Sequence, residues 1–187
     1  VLFFMELIKQ NTQSQIIKLL LIVFLGSVIL AISSKVKIPF YPVPMTMQTF
    51  VVLFIGIACG WKLGVATIIL YLFEGIIGLP VFSGTPEKGL GFIYFTGPTM
   101  GYLIGFLITI FLAGFFNYDK SLIKNFAKLV FATSFIYLLG IIWLGFLIGW
   151  DKPIIKLGVE PFVLAELFKI LLITFFATKI RKLKDFI

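Results

Sequence analysis

Glu166 and Lys169 stand three residues apart inside PFVLAELFKILLITFFAT, Pro161 to Thr178, a run otherwise apolar enough to sit in lipid. On a helix that spacing stacks a carboxylate and an ammonium on one face, close enough to pair or to hold a ligand between them. Ionisable groups inside a membrane segment are costly unless they face protein, a partner or a water-filled cavity, so the default reading is a functional site. The competing reading is an ion pair that only neutralises itself. The cost of placing it there, about several kcal/mol, favours a binding role. An acceptor beside a charged donor in a low-dielectric recess suits a small polar molecule.

Other chemistries find no residues. The chain has no histidine, a single cysteine (Cys59) and acids scattered singly, so neither a metal site nor a disulfide framework is expected. There is no Ser–His–Asp set and no GxxxxGK phosphate loop, so no enzyme is expected and no cofactor is implied. Composition explains why: 60% of residues are hydrophobic, 13% are charged and the mean hydropathy is +1.14. This is an all-α integral membrane protein, read as one domain over residues 1–187. At about 20 residues per span there is room for roughly six transmembrane helices in a compact bundle. The net charge of +8 does not point to nucleic acid, because the basic residues lie mostly at the ends of apolar segments.

The elements that must position the pair follow from the breaks in apolarity. A lead-in through Gln15 precedes a first span of about Ile16 to Ser33, in which Ser27 and Ala31 form a small-xxx-small pair. Prolines 39, 42 and 44 then force extended backbone, either a surface connection or a cap over a cavity, and Thr46 and Gln48 lead into a short second span to Cys59. Gly60-Trp61-Lys62 is a tight turn. A third span, about Leu63 to Ile77, carries Glu74 near its end, where a solvated or capping role is expected. The segment Gly78 to Thr99 is long and glycine-rich yet holds Phe82, Phe92, Tyr94 and Phe95, which suits an interfacial belt or a pocket wall. Gly101 and Gly105 open a fourth span, about Met100 to Phe116, with helix-packing spacing. A polar connection to Lys128 leads to an uncharged fifth span, Leu129 to Ile148, read as structural or lipid-facing, and the sixth begins near Glu160.

Six spans put both termini on one side. With the N-terminus inside, Lys9, Lys18, Lys62, Lys120, Lys124, Lys128, Lys179, Arg181, Lys182 and Lys184 are cytoplasmic, against Lys35, Lys37, Lys88, Lys152 and Lys156 outside. Ten basic residues against five make both ends cytoplasmic. At 1.5 Å per residue Glu166 and Lys169 then lie about 9 Å and about 13 Å below the outer start of the last helix, beneath the proline and aromatic segments.

Four blocks carry a resemblance: PVPMTMQTF (42–50), LYLFEGIIGLPVF (70–82), FTGPTMGYLIGF (95–106) and GVEPFVLAELFK (158–169). In this order they resemble the biotin-specific S-component family (BioY) of energy-coupling factor (ECF) transporters. The resemblance implies a six-helix vitamin-capture subunit in the prokaryotic cell membrane, with biotin bound near the outer face. The family's Asp and Lys on the last helix match Glu166 and Lys169, an acid one methylene longer, and Met100 replaces a glycine of the usual GPTGGY. By the same resemblance Phe82, Tyr94, Thr46, Gln48, Thr96 and Thr99 are candidate ligand contacts. Ser27 and Ala31 would face the ECF transmembrane coupling subunit, which is powered by an ATPase pair. An S-component for another small vitamin and a stand-alone secondary permease are the alternatives.

Overall fold

A computed structural model describes residues 2–39, 41–87 and 89–186; the side chains of residues 2–12 and of Phe186 lie outside what is described, so the Lys9 side chain and Lys88, both in the charge count, have no structural account. The chain is mostly helical. Helix α1 is Leu2–Lys35, α2 is Gln48–Ile76, α3 is Met100–Phe115, α4 is Leu122–Ile148, α5 is Ile154–Gly158 and α6 is Glu160–Arg181. Among the described residues, the segments Gln13–Lys35, Gln48–Ile76, Leu122–Ile148 and Glu160–Asp185 are long and apolar enough to cross a membrane, and Met100–Phe115 is a shorter apolar helix.

Element α2 is not one rod. Gly60 sits at φ +78°, a conformation that only glycine adopts cheaply, and breaks the helix there. The arms 48–59 and 61–76 fold back on each other: Gln48 reaches Tyr71 at 2.8 Å, although 23 residues of straight helix would separate them by about 34 Å. The expected turn at Gly60-Trp61-Lys62 is therefore present. Gly114 of α3 packs against it so closely that a Cβ would stand 2.3 Å from the Trp61 nitrogen.

Two boundaries differ from the sequence reading. Helix α1 extends back to Leu2, because the polar segment before Ile16 contains neither proline nor glycine to stop it. Helix α4 starts at Leu122, so the basic stretch expected as a connection is its first turns; Ser121 caps it, accepting from the Lys124 N–H at 3.5 Å. The proline segment is extended as expected, forming a short antiparallel ribbon of β1 (Lys37–Ile38) and β2 (Met45–Thr46) with Lys37 opposite Thr46.

Two buried clusters hold the bundle. One joins α1, both arms of α2, α3 and the 81–95 segment around Leu30, Ile68, Phe82 and Phe106. The other joins the first arm of α2 to α4 and α6 around Leu53, Ile57, Leu129 and Ile173. The Gly101 and Gly105 pair works as spaced: a Cβ on Gly101 would meet the Leu139 carbonyl at 2.3 Å, and one on Gly105 would meet Ile136 Cα at 2.5 Å, so α3 and α4 touch backbone to backbone.

Candidate functional site

Glu166 and Lys169 point inward and are each 5% exposed. Lys169 Nζ donates to the Thr46 carbonyl at 2.9 Å, to Thr49 Oγ1 at 2.7 Å and to Glu166 Oε1. Thr49 Oγ1 in turn donates to Glu166 Oε1 at 2.7 Å. An ammonium has three N–H donors, and all three are used. The carboxylate is not saturated: Oε2 is buried without a hydrogen-bond partner of normal geometry, and the Tyr137 side chain lies beside it. Taking two charges out of water costs several kcal/mol per ion, roughly, which this hydrogen-bonded cluster offsets in part.

Glu166 borders a chamber of ≈ 50 Å³. Its floor and sides come from α2 (Gln48, Thr49), α3 (Tyr102, Leu103, Phe106), α4 (Ile136, Tyr137) and α6 (Phe162, Glu166). Its cover comes from the proline ribbon (Val43 to Thr46) and from Phe82, Ser83, Tyr94 and Thr99. The proline segment is thus a cap, the second of the two roles the sequence allowed.

The aromatic part of that cover is a packed unit. Phe82 stacks on Tyr94 with ring centres 4.7 Å apart, and meets Tyr71 and Phe95 edge-on at 5.2 Å and 5.3 Å. Hydrogen bonds fix the segment beneath: Tyr71 donates its hydroxyl to the Val81 carbonyl at 3.1 Å and accepts from Gln48 Nε2 at 2.8 Å. The C-terminal end of α1 and the start of β1 pin it from the other side. Ser34 donates to the Val81 carbonyl (2.6 Å), Lys35 to the Phe82 carbonyl (2.7 Å) and Lys37 to the Ser83 carbonyl (2.5 Å).

Of the expected site residues, Glu166, Phe82, Tyr94, Thr46, Gln48 and Thr99 line the chamber. Lys169 stands behind Glu166 and borders instead a separate groove between the ribbon and α6. Thr96 is apart from the cluster: it is exposed and donates to the Ile93 carbonyl at 2.8 Å. Ser27 is fully buried and donates to Glu74 at 2.9 Å, while Ala31 is partly buried against the core. Two expectations need correction. Glu74 accordingly ties α1 to α2 instead of being solvated or capping. The fifth span is not merely structural, since Ile136 and Tyr137 form a chamber wall.

The profile of the BioY family matches residues 8–186. The chain belongs to the BioY family. Among BioY relatives, the probable biotin transporter BioY of Rickettsia prowazekii is 32% identical over 97% of this chain and 91% of its own length. The biotin transporter BioY of Thermotoga maritima is 33% identical over 83% of this chain and 91% of its own. A 2.1 Å crystal structure of the S-component for biotin from an ECF-type ABC transporter superposes with a TM-score of 0.74 at 26% identity, covering 90% of this chain and 93% of that one.

Within this BioY chain the residues that sequence reasoning passed over are Thr49, Tyr71, Tyr102 and Tyr137. Thr49 is one residue beyond the Gln48 that was singled out, but nothing in spacing alone says that it touches both charges. The tyrosines lie in apolar runs, where a ring reads as core. What distinguishes them is a buried hydroxyl: Tyr102 donates to the Gly158 carbonyl at 2.9 Å, fixing α3 to the end of α5 just before α6 begins.

Proposed function

We propose that the chain captures biotin on the outer side of the cell membrane, as the substrate-binding subunit of an ECF-type transporter. Its arrangement would be six membrane helices, with α2 counting as two, and both ends cytoplasmic, as the ten-to-five distribution of basic residues favours. The observation that carries the reading is the buried Glu166 carboxylate, whose Oε2 makes no hydrogen bond of normal geometry beside Tyr137, at the wall of an aromatic-capped chamber in a chain of BioY sequence. Biotin's ureido ring offers neutral N–H donors, the complement of a carboxylate oxygen. Phe82, Tyr94 and Phe162 give the bicyclic ring flat apolar walls, while Thr46 and Thr99 supply neutral hydrogen bonds. Lys169 and Thr49 orient the carboxylate through their hydrogen bonds to Oε1.

At ≈ 50 Å³ the chamber has room for only a few waters, at roughly 10–15 Å³ each, so entry of the ligand widens it. That widening falls to the proline ribbon, whose Met45 and Thr46 are only half-buried, rather than to the Phe82–Tyr94 unit, which is packed into the core. Release inward would be driven by the coupling subunit and its ATPases. On α1 that subunit would meet the Ala31 side, which is only partly buried, while Ser27 lies beneath it.

Titration of the purified protein with biotin tests the assignment. Tight, saturable binding is expected, weakened at least 100-fold in Glu166→Gln, where an amide oxygen replaces the charged acceptor. No binding of biotin, with tight binding of another vitamin, would overturn it.

A further inference from the structure

The turn at 82–85 brings three oxygens to one point, and a side chain from a distant element stands on it. Lys35 is the last residue of α1. Its Nζ donates to the Phe82 carbonyl at 2.7 Å, to Thr85 Oγ1 at 3.1 Å and to the Thr85 carbonyl at 3.2 Å. The turn is closed by its own bonds: the Thr85 N–H donates to the Phe82 carbonyl at 3.2 Å, and the Thr85 hydroxyl donates to the same oxygen at 2.7 Å. With its proton committed there, Thr85 Oγ1 meets the ammonium with a lone pair, so the acceptors are oriented independently of the cation. A primary ammonium carries three N–H donors on one tetrahedral nitrogen and fits such a cage, whereas the planar fork of a guanidinium does not. Lys35 is an exposed residue, so its stem contributes little packing and the contact with the turn is made by the ammonium.

The cage bears on the chamber through Phe82. The Phe82 carbonyl lies on the ammonium, while its ring, buried in a chamber wall, stacks on Tyr94. Gly75 presses the ring from α2, since a Cβ there would stand 2.1 Å from it. Among the described residues, Ile77 to Leu90 form no helix or strand, so bonds from neighbouring elements must fix this backbone. Ser34 and Lys37 hold the Val81 and Ser83 carbonyls, and Lys35 is the side chain that bridges both ends of the turn. We infer that Lys35 is a positioning residue for ligand capture: its ammonium fills the three-oxygen cage of the 82–85 turn and thereby fixes the Phe82 ring as a wall of the chamber. The cage takes a primary ammonium, so a free one of the right size substitutes for the missing side chain.

The effect on binding rests on the proposed biotin reading, whereas the cage does not, so the experiment has two readouts. Biotin affinity by titration, and amide hydrogen exchange of residues 81–96 without ligand, are measured on the purified wild-type protein and on Lys35→Ala. The variant is expected to bind biotin about tenfold more weakly or worse and to exchange this segment about tenfold faster or more, with α4 and α6 unchanged. n-Propylammonium, the piece that Lys35→Ala removes, restores both, and tetramethylammonium, a cation without an N–H, restores neither. Lys35→Met keeps the stem in the way and shows the same losses without rescue. If the wild-type protein binds no biotin, the functional reading falls, and the exchange rates with their rescue still decide the cage. Wild-type exchange in Lys35→Ala would mean that Lys35 does not fix the turn, and the inference is overturned. Faster exchange with unchanged affinity overturns it as well, because the turn then does not position Phe82 for the ligand. Losses that both cations reverse alike, or that neither reverses, assign Lys35 to bulk charge or general stability and overturn the cage.

Discussion

Thr49 donates its hydroxyl proton to Glu166 and receives one from Lys169, so both charges are held through one oxygen. The pair is thus neither a bare salt bridge nor simply a ligand clamp; it is a small network in which removing one member strands another. Replacing Lys169 by Met leaves the Glu166 carboxylate buried without its cation, and the expected loss is about 3–5 kcal/mol of stability, read as a large fall in Tm. The double variant Glu166→Gln with Lys169→Met buries no charge and recovers most of that Tm without recovering biotin binding. Stability regained with binding still absent separates a functional pair from a structural one. Full binding by the double variant would show that the charges only stabilise the fold. Spacing alone made the pair legible, since two opposite charges one turn apart inside an apolar helix have few other uses. Thr49 was not legible, because its role depends on how the first arm of α2 meets α6.

Glycines decide how closely the elements approach the chamber. Gly75, on the second arm of α2, lies against Phe82, and a Cβ there would stand 2.1 Å from the ring. Gly75→Ala must push Phe82 off its stack with Tyr94, since the ring is 1% exposed and has nowhere else to go. Biotin affinity is expected to fall about tenfold or more with a loss of roughly 1–3 kcal/mol in stability, checked by titration and thermal melting. Unchanged affinity would mean that Phe82 does not shape the site. The small-residue spacings were visible in the sequence as permission for close packing, but not which neighbour takes it up. Gly101 and Gly105 receive α4, whereas Ser27 receives Glu74 of the protein's own interior. The same limit explains the helix ends: a stretch of polar residues with neither proline nor glycine continues a helix in water as readily as it leaves the membrane, so α1 and α4 run further than apolarity alone indicates.

Across the whole molecule, hydropathy shows how many times the chain turns, while only charge indicates which side each turn faces. Helix α3 links the two ends: Thr96 precedes it and Lys120 follows it, and its 16 residues span about 24 Å. Both side chains are exposed, neither touches the chamber, and Cys59, the sole cysteine of the chain, is half-buried among apolar neighbours. Single cysteines at 96 and 120 therefore report topology with little background. With ten basic residues assigned inside and five outside, a membrane-impermeant maleimide applied to intact cells is expected to label Thr96→Cys, and to label Lys120→Cys only after permeabilisation. The reverse pattern would place the chamber's aromatic cover in the cytoplasm. Glu166 would then face the wrong compartment for capture, however well its geometry suits the ring of the vitamin.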